Sequence, residues 1–325
     1  MKKSWIYIVS AIILFSTMEI ALKQIAGDFN PMQLTLTRFL IGGIFLIPFA
    51  VNRMKKRGIR LKRTDLRVFA LLGLIGVAVS MTFYQLAILE TNASVVAVLF
   101  SSNPAFIMLL SALLLREVIH RRNVIAIVAE IVGIIILIGP LGAQVSAGGI
   151  ILTLLSVLTF SLYGVMGKKK CMQYGGVTVT CLSFLFGAVE LFVVVLLSHI
   201  GGVADYMTAH GMETYANIPL LAGYSMENIW IVLYICIGIT GAGFASYFTA
   251  MERTSTNTAS LVFFFKPVLA TILAAVILHE AVPSNMIAGI VLILVGSVAM
   301  LVPGLRPREK NLRTACAMRE KLAEK

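Results

Sequence analysis

The sequence predicts an all-α membrane protein of ten transmembrane helices, forming two inverted five-helix repeats with both termini cytoplasmic. Three observations carry that prediction. First, 59% of the 325 residues are hydrophobic and only 13% are charged, with a mean hydropathy of +0.94. So few charges cannot cover a soluble domain, and apolar runs of about 20 residues, enough helix to cross a bilayer core, recur throughout. Second, Lys and Arg collect in alternate connections. Third, one stretch occurs twice. Tyr84, Ala87, Thr91, Pro104, Glu117, Val132, Gly133 and Pro140 recur as Tyr247, Ala250, Thr254, Pro267, Glu280, Val295, Gly296 and Pro303, each pair 163 positions apart. One offset without a gap marks a duplicated unit.

The spans are read at 4–22, 31–51, 66–89, 93–115, 122–139, 147–167, 177–198, 228–250, 256–278 and 283–303. Lipid offers backbone groups no partner outside the segment, so each span is helical. The first has Lys2 and Lys3 ahead of an apolar run, like a signal peptide. That run is too long for a signal core and lacks a small-x-small cleavage site, so it is read as a span.

Arg53, Lys55, Lys56, Arg57, Arg60, Lys62, Arg63 and Arg67 lie between spans two and three. Arg116, Arg121 and Arg122 follow span four, Lys168, Lys169 and Lys170 follow span six, and Arg253 follows span eight. The opposite connections hold almost none beyond Lys23. The positive-inside rule then puts both termini and the basic connections in the cytoplasm. The formal charge of +12 is therefore read as topology rather than nucleic-acid binding. The tail 304–325 is basic, with Leu312, Cys316 and Leu322 at roughly helical spacing. It is either a short helix on the membrane face or a solvated tail.

Upstream the repeat changes offset. Phe15, Ser16 and Lys23 match Phe160, Ser161 and Lys168, and Phe39, Leu40 and Gly42 match Phe184, Leu185 and Gly187, 145 apart. The offsets differ by 18, which places an insertion in the outer connection 199–227. The repeats are thus 4–139 and 147–303. The insertion holds His199, Asp205, His210 and Glu213 in no standard ligand spacing, and it reads as a solvated cap. Cys171, Cys181, Cys236 and Cys316 form no CxxC, so neither a disulfide framework nor a zinc site is suggested, and no cofactor is expected. Five spans per half means the second half enters the membrane from the opposite side. Such a pair can exchange inward-open and outward-open states.

Phe15-Ser16 followed by Lys23, then Arg38, then 87–117 with Pro104 and Leu115-Arg116-Glu117, then its copy 250–280 with Pro267, carry a likeness to a known family. Over about 4–303 the chain resembles the drug/metabolite transporter superfamily, in its EamA-type branch. The resemblance implies ten helices around a central cavity open to one side at a time, and secondary-active transport, often export. Members often carry Trp-Gly where this chain has Phe15-Ser16, and an apolar or small residue where it has Glu19. The second half has Ser183 where the first has Arg38.

Pro104 and Pro267 each lie about eleven residues into a span. Proline removes an N–H and clashes with the carbonyl four residues back, so Phe100 and Phe263 lose a helical partner near mid-membrane. Each proline is expected to serve the cavity or its hinges, or to make a plain kink satisfied by a neighbouring hydroxyl. Lys266 precedes Pro267. A charge at mid-bilayer costs about 2.5–3.5 kcal/mol on insertion scales, so it must face protein or water. It either anchors a solute carboxylate or phosphate, or pairs with a buried acid; its repeat mate is Asn103.

Glu19 and Arg38, on neighbouring spans, are expected to form an ion pair, with Glu19 as a proton-coupling carboxylate in the sharper reading. Glu190 shares a helical face with Ser183 and Gly187, to neutralise Lys266 or carry a proton. Glu130 is expected on the periphery. Glu117 and Glu280 are expected to cap the helix that follows each. Tyr84, Tyr247, Ser94, Asn257, Ser101, Ser161, Tyr163, Ser260 and Phe264 are candidates for a mixed polar and aromatic pocket lining, or for ordinary helix packing.

The preferred reading is a secondary-active transporter of amino acids or related carboxylates in a bacterial inner membrane, with export by proton exchange. Its partners are a small-molecule solute, a proton or other coupling ion and the lipid bilayer, with a homodimer left open and no nucleic acid. Efflux of hydrophobic or cationic drugs is the alternative, followed by a non-transporting scaffold. An intramembrane enzyme is opposed by only three aspartates, with no HExxH and no GxxxxGK[ST] loop.

Overall fold

A computed structural model describes residues 2–115, 121–138, 146–254, 256–259 and 262–301. The described residues hold helices and no strand. The long helices are α1 (Ser4–Gln24), α2 (Pro31–Arg57), α3 (Arg63–Glu90), α4 (Ala93–Leu115), α5 (Arg121–Ile138), α6 (Ala147–Tyr174), α7 (Gly176–Ser198), α8 (Ile229–Arg253), α9 (Val262–Ile277) and α10 (Ser284–Leu301). Seven of them, α1–α4 and α6–α8, are long and apolar enough to cross a membrane. Large apolar side chains such as Leu113, Ile125, Ile135, Ile151 and Val276 face outward, the surface that lipid covers in such a bundle.

The helix ends follow local chemistry. Asn30 starts α2 by accepting from Met32 N at 2.9 Å, with Pro31 in the first turn where no N–H is needed. Gly58 ends it with φ 64°, a left-handed cap. Ser146 starts α6 by accepting from Gly149 N. α6 runs through Lys168, Lys169 and Lys170, which the sequence reading put in a connection, and only Gly175 separates it from α7. The α7 start is capped by Glu252, which accepts from Gly176 N at 2.7 Å. Glu252 also pairs with Arg53 at 2.6 Å and with Arg57. Lys170 pairs with Asp65 at 2.6 Å, and Tyr174 donates to the same carboxylate. Residues from two of the basic segments thus meet acids at one end of the bundle.

α2 packs on α7 and α8, α1 on α8 and α9, α3 on α6 and α7, and α4 on α6 and α9. α5 and α10 pack chiefly on each other. Within α3 the residues Leu74–Val79 form a π-helical segment, and within α8 so do Tyr234–Gly243. Under the 163 offset the first segment maps inside the second. Such wide turns are frequent at functional sites. Here α3 also approaches α7 very closely: a Cβ on Gly73 would lie 2.5 Å from Gly187 N.

The insertion 199–227 is more than a solvated cap. It contains a helix, Gly201–Ala209, and a buried residue, Ile218, whose N–H is held by Ser198 Oγ at 3.0 Å. It closes over the α1–α2 corner through Asn30 Nδ2 to Thr214 O at 2.8 Å and Gln33 Nε2 to Ala222 O at 2.7 Å. Tyr224 meets Thr37, hydroxyl to hydroxyl, at 2.5 Å.

Candidate functional site

The two prolines sit on matching backbone frames. Ser16 Oγ on α1 donates to the Ile12 carbonyl at 2.7 Å and lies 3.4 Å from the Lys266 carbonyl. Its repeat mate Ser161 on α6 donates to the Val157 carbonyl at 2.7 Å and lies 3.4 Å from the Asn103 carbonyl. Both prolines are buried in protein and neither faces lipid.

The helices around them differ. α9 continues through Pro267. α4 does not kink at Pro104 but stops at Phe100 and restarts at Asn103, with Pro104 in the first turn. Ser101 Oγ donates to the Val98 carbonyl at 2.5 Å and Ser102 Oγ to Leu99 at 2.7 Å. These hydroxyls satisfy carbonyls at the end of the first segment, so the break leaves fewer unmet groups in an apolar core.

The charges meet between these frames. Lys266 Nζ lies 2.5 Å from Glu19 Oε1, and both side chains are wholly buried. Tyr84 donates to the same oxygen and lies 3.3 Å from Lys266 Nζ. The ammonium also sits 4.8 Å from the Phe100 ring centroid and 5.5 Å from that of Tyr84. The expected Glu19–Arg38 pair does not form: Lys266 takes the carboxylate, and in doing so displaces Glu190 from the role of neutralising it. Helix packing explains the outcome, because α1 lies against α9 in the bundle.

Arg38 is also wholly buried, and none of its three nitrogens has a hydrogen-bond partner among the described residues. Its guanidinium lies over the Phe39 ring at 4.8 Å, with Tyr84, Cys236 and Glu19 as electrostatic neighbours. Glu19 Oε2 is buried and without a partner as well. Removing the partner of a buried charge costs about 3–5 kcal/mol, so an unmet guanidinium here is a marked departure. With Lys266 and Arg38 positive and Glu19 negative, the cluster is one positive charge in excess.

Asn103 Nδ2 donates to Ser161 Oγ at 2.9 Å, close to the centre, while its Oδ1 is unmet. Tyr247 and Tyr163 are buried with unmet hydroxyls. Ser94 is not a free lining group: Glu280 Oε2 accepts from its Oγ at 2.5 Å and its N at 3.1 Å, and Oε1 from Ala93 N at 2.9 Å. Glu280 therefore caps α4 from the other half instead of α10, because the loop after α9 folds back onto α4. Glu190 is half-buried, with Oε2 unmet. Glu117 and Ser260, and the side chains of Asn257, Phe264 and Glu130, lie outside the described residues.

The sequence reading missed the aromatic cluster. Three repeat-matched pairs, Phe15 with Phe160, Phe39 with Phe184 and Phe100 with Phe263, pack together, with Phe39 beside Arg38 and Phe100 beside Lys266. Phe100 lies 5.5 Å from Phe160 and 5.8 Å from Phe263, and Phe39 lies 4.6 Å from Phe184, between ring centroids. Tyr247 joins Phe263 at 5.3 Å. The signal was present: each pair obeys a repeat offset. What the offsets did not reveal is that the six rings pack into one buried cluster, joined through Phe244.

The EamA-like transporter family matches residues 2–139 and 147–302. An uncharacterized transporter from Clostridium kluyveri is 35% identical over 306 residues, covering 92% of this chain and 93% of the relative. A Salmonella typhimurium protein named "Probable amino-acid metabolite efflux pump" is 23% identical over 69% of this chain and 74% of its own length. A solved crystal structure shares the fold with a TM-score of 0.67 at 20% identity, over 94% of this chain and 99% of the other. On the family match and the Clostridium relative, this chain is a member of the EamA-like transporter family.

Proposed function

We propose that the protein exports amino acids or related small carboxylates across a bacterial inner membrane by alternating access, exchanging solute for protons. In this reading two inverted five-helix halves, 4–139 and 147–303, rock about the repeat-matched frames at Asn103-Pro104 and Lys266-Pro267. The observation that carries it is the buried cluster of Lys266, Arg38 and Glu19, with its excess positive charge. A buried cation excess favours an anionic group on the solute and opposes a cationic drug. The name of the Salmonella relative is in keeping with this solute class.

Glu19 is the proposed proton carrier. When ionised it is held by Lys266 and Tyr84, with Arg38 beside it. A solute that needs Glu19 ionised and a proton that neutralises it occupy the centre in turn, which couples their opposite movements.

The test is flux of labelled amino acids and organic acids in proteoliposomes, with and without an imposed proton gradient, for wild type and Lys266→Met. Carboxylate flux driven by a proton gradient, lost in the variant, is the expected result. Unchanged carboxylate flux in Lys266→Met, or flux of organic cations alone, would remove this reading.

A further inference from the structure

Arg38 is the buried group that the ion pair leaves over. Its charge cannot be relieved by losing a proton, because a guanidinium stays protonated in proteins. The Phe39 ring lies 4.8 Å from its guanidinium carbon, and none of its N–H groups has a partner among the described residues. An arginine that served only to tie helices together would find a carboxylate or carbonyl in the bundle. The Glu19 carboxylate beside it is committed through Oε1 to Lys266 and Tyr84. Glu19 Oε2 is unmet. One neighbourhood of the core thus holds a planar fork of free donors and a free carboxylate oxygen. Buried polar groups are otherwise almost always partnered.

The geometry points to Arg38 as the residue that takes the solute's carboxylate in a two-bond fork, with Glu19 Oε2 accepting from an ammonium or hydroxyl on the solute's α carbon. This rests on the carboxylate-transport reading above. It also moves the anchor: Lys266 holds Glu19 in position, and Arg38 meets the solute. A guanidinium fork matches a carboxylate in both shape and charge, which an ammonium does not. In this conformation Arg38 is sealed from water on every side, so the solute reaches it only when one side of the bundle opens.

The experiment uses the full-length carrier in detergent and in proteoliposomes. The probes are the standard amino acids, the oxo acids that lack their amine and the amines that lack their carboxylate. Arg38→Met, which removes an unpaired buried charge at similar volume, is expected to melt about 2–4 °C or more above wild type when empty. It is also expected to lose thermal stabilisation by every carboxylate. Arg38→Lys keeps the charge but not the fork, and is expected to bind about tenfold more weakly.

An empty Arg38→Met protein that melts below wild type, or one that still responds to carboxylates, overturns the assignment. If Arg38→Met transports carboxylates normally while Lys266→Met does not, Arg38 is excluded and the function stands. If no carboxylate binds or moves in wild type, the ligand class falls with the function. The melting difference still reports whether the guanidinium lacks a partner.

Discussion

Asn103-Pro104 and Lys266-Pro267 are the same place in the two repeats, and they have come to do different things. Around both, a serine from the other repeat bonds its own turn at 2.7 Å and approaches the carbonyl before the proline at 3.4 Å. The side chains then part. Asn103 is neutral and bonds the serine itself at 2.9 Å, next to a helix break closed by Ser101 and Ser102. Lys266 reaches past the serine to Glu19, from a helix that continues through its proline. A repeated backbone frame therefore carries an unrepeated charge. The centre is alike in its serine contacts and asymmetric in its charges, and under the proposed function only the second property would orient a solute.

The largest expected effect tests that asymmetry. Lys266→Met leaves Glu19 buried without its cation and is expected to cost about 3–5 kcal/mol of stability. Lys266→Met with Glu19→Gln removes both charges and is expected to recover most of that loss. Thermal or denaturant unfolding of the two singles and the double in one cycle gives the coupling. Additive losses would mean that the pair is not an energetic unit.

The tyrosines sharpen the same contrast at a smaller scale. Tyr84 donates to the Glu19 carboxylate, whereas Tyr247 has no partner for its hydroxyl. Tyr84→Phe is expected to cost about 1.5–3 kcal/mol, the range for a hydrogen bond to a charged group. Tyr247→Phe is expected to be neutral or slightly stabilising. Equal losses in a side-by-side unfolding measurement would make the two copies equivalent after all. Smallest is Asn103→Ala, which removes one neutral bond to Ser161 and is expected to cost about 1 kcal/mol. A loss comparable to that of Lys266→Met would place the functional weight on the first repeat as well.

Much of this was legible in the residues. The stretches that became helix, the matched prolines and a lysine placed among apolar residues follow from hydropathy and a fixed offset. The likeness to the transporter family was visible in the same positions. The pairing of the charges was not. Arg38 seemed the partner for Glu19 because a short connection joins their helices, yet Lys266 lies 247 positions away in the chain and takes the carboxylate. Ser94 was read as a lining group, and Glu280 claims it from the other half. Nor was the length of the α6 helix apparent, since three consecutive lysines ordinarily mark a connection and here ride on the helix end.

Hydropathy and repetition belong to the chain itself, because burying apolar helix in lipid needs no knowledge of which neighbour lies alongside. They determined where the long apolar helical stretches lie, which segments are basic and where the prolines fall. Which acid meets which cation is decided by the distance between side chains on different helices, and a few ångströms separate a bonded lysine from an unmet arginine in a medium that screens almost nothing. Only the packed bundle sets those distances, so only it could show that Lys266 is occupied and Arg38 is not.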